Sequence, residues 1–314
     1  MKSNTFTGHL IALITIFIWG TTFVSTKVIL QDLSPVEILF YRFALGYLAL
    51  WLIYPKFKGF KSFSEEFLFF SLGLTGITLY FLIENIALEF TYATNVGLIV
   101  STIPILTALL AHIATKDEKI SRNLVIGFIV SFLGIFLVIF NGKFLLKLNP
   151  VGDVLALLAS IVWAVYSVLL KKVDSSYPPV YTVRKSFFYG LLTIVPILYF
   201  RGEDFVSAHP VSLKLVINIA FLGLAASALC FVLWNASVKI LGAVKASNYI
   251  YLVPLITMIT SVLILHEKVT ALTIFGGILI ILGVSVSEKK FSGLKEIFLR
   301  LQETANRFRI KSES

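Results

Sequence analysis

The chain of 314 residues is 58% hydrophobic and only 14% charged, with a mean hydropathy of +0.92, whereas a soluble domain carries roughly 25% charged residues. That composition excludes a soluble enzyme or binding module and describes an integral membrane protein. The formal charge of +10 does not point to nucleic acid, because Lys and Arg sit between apolar segments rather than along one face or arm.

Ten apolar stretches are long enough to cross a hydrocarbon core of about 30 Å as helices. In chain order they are 8–29, 35–54, 67–89, 93–114, 123–141, 151–171, 179–200, 213–237, 243–265 and 270–287. The first is too long, and lacks the small-residue cleavage site, to be a cleavable signal peptide. Pro35 and Pro179 suit the first turns of the second and seventh spans, where a missing N–H is harmless. Pro104 and Pro254 fall in the middle of the fourth and ninth spans and predict kinks. Beyond 288 the stretch KKFSGLKEIFLRLQETANRFRIKSES is too charged to span, and its apolar residues recur at helical spacing. We expect a basic amphipathic helix on the inner leaflet.

The chain repeats itself. GHLIALITIFIWGTTFVSTK at Gly8 returns as GDVLALLASIVWAVYSVLLK at Gly152, an offset of 144 that aligns Trp19 with Trp163. At an offset of 150, Gly73 aligns with Gly223, Phe81 with Phe231, Asn85 with Asn235 and Pro104 with Pro254, and the short loops then align Glu118 with Glu267. The first repeat spans 1–142, the second 143–288, and 289–314 is the tail. Five spans per copy is an odd number, so the two copies enter the membrane from opposite sides. The predicted fold is all-α, ten transmembrane helices in two inverted five-helix repeats, an architecture of secondary transporters with the site at the repeat interface. With a cytoplasmic N-terminus, 18 basic residues lie inside and six outside, so the positive-inside rule puts both termini in the cytoplasm.

Charges within spans cost about 2.5 to 3.5 kcal/mol each on the insertion scale, so each requires a reason. Glu84 is the carboxylate well inside a segment, roughly 25 Å from the cytoplasmic end of its span by helical rise, and Arg42 on the second span lies at a similar depth. They are candidates either for a fixed ion pair joining two helices or for a coupling pair in which Glu84 exchanges a proton or meets substrate. Arg184 and Lys185, in the seventh span, have no acidic partner by symmetry, since Trp234 occupies the position equivalent to Glu84. They either snorkel to the headgroups or hold an anionic substrate group. Gly127, Ser131 and Gly134, with Gly276, Gly277 and Gly283, predict close packing of the fifth and tenth spans, with a homodimer through that face as a further option. Aspartates and histidines fall in loops or near span ends, and the lone Cys230 has no metal-site spacing, which disfavours an intramembrane enzyme. No phosphate-binding loop of an ATP-driven pump is present, and no cofactor is expected. A lipid-handling protein or a channel are the other classes, and rocking repeats with paired prolines suit a carrier better.

IFIWGTTFVSTK, FYRFALGYLAL, ENIALEFTYAT, STIPILTALLA with DEKIS, and their counterparts VPLITMITSVLILHEKVT and GGILIILGV together resemble the EamA family of the drug/metabolite transporter superfamily over residues 8–288. The resemblance implies a carrier in the bacterial inner membrane that exports amino acids or other small metabolites by alternating access, with protons as the candidate coupling ion. It also implies a cavity lined by Trp19, Tyr80, Glu84, Asn95, Trp163, Tyr166, Asn235 and Tyr249, to which residue chemistry adds Arg184.

Overall fold

A computed structural model describes residues 2–56, 58–90, 93–114, 120–140, 150–202, 212–265 and 271–288. The tail, and the loop residues Glu118 and Glu267, lie outside the described residues. All regular structure among the described residues is helical: α1 Lys2–Ile29, α2 Pro35–Ile53, α3 Phe63–Phe90, α4 Ala93–Val100, α5 Ile103–Ala114, α6 Arg122–Phe140, α7 Pro150–Leu170, α8 Pro179–Phe200, α9 Leu213–Leu241, α10 Ala243–Asn248, α11 Val253–Leu265 and α12 Ala271–Glu288. Six of these, α1, α2, α3, α7, α8 and α9, are long and apolar enough to cross a membrane, and shorter apolar helices accompany them.

Local sequence sets the helix ends. Ser34 caps α2 by accepting from the Glu37 N–H while the Glu37 side chain accepts from the Ser34 N–H, a reciprocal capping box. Ser62 and Ser212 accept from the N–H groups of Glu65 and Leu215 and so start α3 and α9, again 150 residues apart. Gly242, at φ 88°, makes the turn from α9 into α10 that a side chain would strain.

Pro104 and Pro254 do not bend continuous helices. The segment around Pro104 stops at Val100, turns through Ser101 and Thr102, and restarts with Pro104 in the first turn of α5. Pro254 likewise follows a 3₁₀ turn, Tyr249–Leu252, and sits in the first turn of α11. A proline ring clashes with the carbonyl four residues back and removes a donor, so the helix breaks before it rather than curving through it. A second departure is a π-helical segment inside each of α3 and α9, at Leu74–Leu79 and Phe221–Leu229. Periodicity in the sequence does not distinguish these from ordinary α-helix.

The halves interleave. α1 packs on the second part of α9 and on α11, α7 packs on the second part of α3 and on α5, and α2 runs beside α8. At the centre four phenylalanines meet, Phe43, Phe81, Phe187 and Phe231, with centroid distances of 5.2 Å for Phe43–Phe81, 5.0 Å for Phe43–Phe187 and 5.3 Å for Phe187–Phe231. Phe43 and Phe187 are 144 apart and Phe81 and Phe231 are 150 apart, so positions equivalent in the repeat touch each other. Glycines bring the backbones around this cluster together. A Cβ on Gly46 would lie 3.0 Å from the Gly223 carbonyl, and one on Gly73 would lie 2.6 Å from the Gly190 nitrogen. Lipid removes the hydrophobic drive between helices, so such close van der Waals approach is what holds them.

α6 and α12 cross through Gly127, Gly134 and Gly283: a Cβ on Gly134 would stand 2.5 Å from the Gly276 carbonyl, and one on Gly283 would stand 2.2 Å from Ser131 Oγ. The glycine face is therefore filled within one chain, and the same small residues are not free to pack a second copy.

Candidate functional site

A cavity of about 580 Å³, counting its open mouth, lies between the middle of the bundle and the end at which α1 finishes. α1 contributes Trp19, Thr22, Phe23 and Thr26, a stripe at i, i+3, i+4 and i+7 that places all four on one helix face. α2 contributes Arg42, α3 contributes Tyr80, Phe81, Glu84 and Asn85, and α7 contributes Trp163. Apolar side chains around the breaks before α5 and α11, Ile103, Ile250 and Val253, complete the wall. The interrupted helices thus serve the site as well as the fold.

Arg42 is 2% exposed. Its Nε donates to Ser227 Oγ at 3.0 Å, and its guanidinium carbon lies 4.4 Å from the Phe81 ring centroid and 5.0 Å from that of Phe43. Ring faces and a hydroxyl stabilise the cation where water is scarce. Glu84 is 6% exposed and accepts one long hydrogen bond, from Tyr80 OH at 3.3 Å. Among the described residues the two charges form no ion pair within 4.0 Å, although both line the same cavity. The two charges thus border one cavity without closing into a salt bridge. Asn85 Nδ2 reaches the Pro35 carbonyl at 3.4 Å and ties α3 to the start of α2.

The floor is aromatic. Trp19 stands edge-on to Trp163 at 5.3 Å and lies 5.1 Å from Trp234, while Tyr80 lies 4.6 Å from Trp163. Trp19 Nε1 donates to the Ala226 carbonyl at 2.9 Å, within the π segment of α9. Trp163, 3% exposed, has no hydrogen-bond partner for its indole N–H among the described residues. A buried unpaired donor beside a cavity is a group that a ligand acceptor can satisfy. Trp234, at the position equivalent to Glu84 in the repeat, is fully buried.

The predicted residues thus divide. Trp19, Tyr80, Glu84, Trp163 and the coupling candidate Arg42 are gathered on the cavity. Tyr166 and Asn235 bond to each other at 3.1 Å behind Trp163. Tyr249 bonds to His9 at 2.6 Å towards the opposite end of the bundle. Arg184 is also at that end, where it donates to the carbonyls of Tyr54 and, at 2.7 Å, Lys56. Lys185 bonds to Glu66 at 2.8 Å, an acidic partner supplied by α3 that repeat symmetry could not reveal. The side chain of Asn95 lies outside the described residues. Thr22, Thr26 and Ser227 escape single-residue reasoning because hydroxyls are common in helices; the helical spacing of the α1 stripe is the signal that finds the first two.

Ser227 positions Arg42 without lining the cavity. Ser227→Ala removes an acceptor of a charged hydrogen bond, a loss of about 1.5 to 3 kcal/mol, and is expected to weaken apparent substrate affinity about tenfold or more. A double-mutant cycle with Arg42→Gln checks this: the serine change should add nothing once the guanidinium is gone.

A bundle of apolar helices around a charged cavity defines a multi-pass membrane transporter. The EamA-like transporter family matches twice, at residues 6–140 and 150–287, and the chain belongs to that family. An uncharacterized transporter of Archaeoglobus fulgidus is 31% identical over 296 residues, covering 92% of this chain and 99% of its own length. The uncharacterized transporter YyaM of Bacillus subtilis is 28% identical over 84% of this chain and 88% of its own. A solved crystal structure aligns with a TM-score of 0.70 over 91% of this chain and 98% of its own at 20% identity, a likeness of fold alone.

Proposed function

We propose that the chain is a secondary-active carrier with ten transmembrane helices in two inverted repeats, residues 1–142 and 143–288, in a bacterial cytoplasmic membrane with both termini inside. It exports amino acids or other small polar metabolites by alternating access. The meeting of Phe43 with Phe187 and the paired glycine crossings Gly46–Gly223 and Gly73–Gly190 support a two-fold relation between the halves. In this orientation the cavity lies towards the outer side of the bundle.

The observation that carries the reading is the separation of Glu84 and Arg42 on one buried cavity. Unpaired charges in a membrane are costly unless a ligand or proton completes them. Glu84 suits a cationic group or a coupling proton, Arg42 and the Trp163 N–H suit an acceptor such as a carboxylate, and the aromatic floor suits an apolar body. Metabolite profiling of medium from cells overproducing the chain, against Glu84→Gln and an empty vector, tests it. A small amphiphile enriched only by the native chain is the expected result, and equal enrichment by Glu84→Gln removes that residue from the mechanism.

A further inference from the structure

The two ends of the bundle are closed by different chemistry. At the end where α1 begins, α3 of the first half presents Glu65 and Glu66 to the second half. Glu66 takes Lys185 Nζ at 2.8 Å and Tyr189 OH at 2.5 Å, and Glu65 takes Tyr177 OH at 2.7 Å with Lys185 Nζ at 3.9 Å. Beside them Lys61 pairs with Asp174 at 3.1 Å, and Lys239 donates to the carbonyl of Ser175. The Asp174 carboxyl is pulled down to about 2, first by the Ser176 backbone N–H and then by Lys61, so it is ionised at any physiological pH.

At the opposite end the equivalent positions carry no formal charge. Offsets of 150 and 144 turn Glu65, Glu66, Lys185, Tyr189 and Tyr177 into Leu215, Val216, Tyr41, Leu45 and Leu33. Leu33 and Leu215 belong to a small apolar cluster there. Among the described residues, the polar links between the halves at this end include one ion pair, Lys214 to Asp32 at 3.2 Å, half-exposed and without hydrogen-bond geometry, and a Ser25–Asn218 hydrogen bond at 2.7 Å. The cavity lies nearer this end than the other.

We infer that the Glu65–Glu66 cluster is a latch that holds its end of the carrier shut, and that it biases the resting protein towards the state open at the opposite end. The inference rests on the alternating-access reading. Its residues touch neither the cavity nor a ligand, so they act on the population of states. Partly exposed charge pairs are individually weak, and a network of them shared between two rigid halves adds up.

The test uses the full chain in lipid nanodiscs, where both faces meet reagent, with Cys230→Ala and single reporters. Val238→Cys reports the latched end, where Val238 is 2% exposed, and Thr22→Cys, at a half-buried cavity residue, reports the cavity. Glu65→Gln with Glu66→Gln should raise maleimide labelling of Val238→Cys about fivefold or more and slow that of Thr22→Cys. Glu66→Lys combined with Lys185→Glu should return both rates towards the starting values, and Asp32→Asn should leave both nearly unchanged. Unchanged labelling at both reporters, or faster labelling at Val238→Cys with none lost at Thr22→Cys, overturns the inference, the second because it is local loosening. The assay needs no substrate, so its failure is separate from failure to find a cargo.

Discussion

Glu84→Gln is expected to abolish most transport while leaving the protein folded. Gln keeps the length of Glu and its ability to accept from Tyr80 OH, so packing around α3 is preserved. What is lost is the negative end of the cavity. A charge-assisted contact is worth about 1.5 to 3 kcal/mol, so transport at sub-saturating substrate falls about 10- to 150-fold. Arg42→Gln should match or exceed this, because it also strips Ser227 and the Phe81 face of their partner. Counterflow in proteoliposomes, using the amphiphile found by profiling, measures both. If Glu84 is a proton site, the glutamine variant also loses the pH dependence of flux yet retains exchange. If Glu84 holds the cargo itself, exchange and net flux fall together.

Gly73→Ala is expected to loosen the contact between the two halves with a single methyl group. Its Cβ would lie 2.6 Å from both the Gly190 nitrogen and the Ser186 carbonyl, and backbone atoms cannot rotate aside as a side chain can. Either α3 and α8 separate or the helix distorts, at about 1 to 3 kcal/mol or more. The crossing is between the halves and beside the central phenylalanines, so the damage spreads to the cavity wall. Gly59→Ala is the control, since a Cβ there meets nothing within 4 Å. Fluorescence-detected size exclusion after heating should give a midpoint several degrees lower for Gly73→Ala and unchanged for Gly59→Ala. At Gly190 the blocking group is the Ile77 side chain, which can move in part, so Gly190→Ala should fall between them.

Composition and apolar run length were enough to recognise helices that cross a membrane, because lipid forces every backbone group to bond within its own segment. The repeated tryptophans, prolines and glycines exposed the duplication, and the odd number of apolar stretches per copy implied the inversion we propose. Glu84 and Arg42 stood out because charge in hydrocarbon is expensive enough to be noticed without coordinates.

Tertiary structure decided the rest. Depth along a helix can be counted from sequence, but partners across a bundle cannot, which is why the His9–Tyr249 bond and the Arg184 bond to the Lys56 carbonyl emerge only from the structure. Lys185 appeared unpartnered because its partner, Glu66, is 119 residues away on a helix that symmetry does not relate to it. The π segments and the breaks before Pro104 and Pro254 rotate and offset the following residues, so helical counting across them fails. Local bonding and burial in lipid are written residue by residue and can be read from the chain. Which faces meet depends on van der Waals fit between distant helices, and only the packed structure specifies that fit.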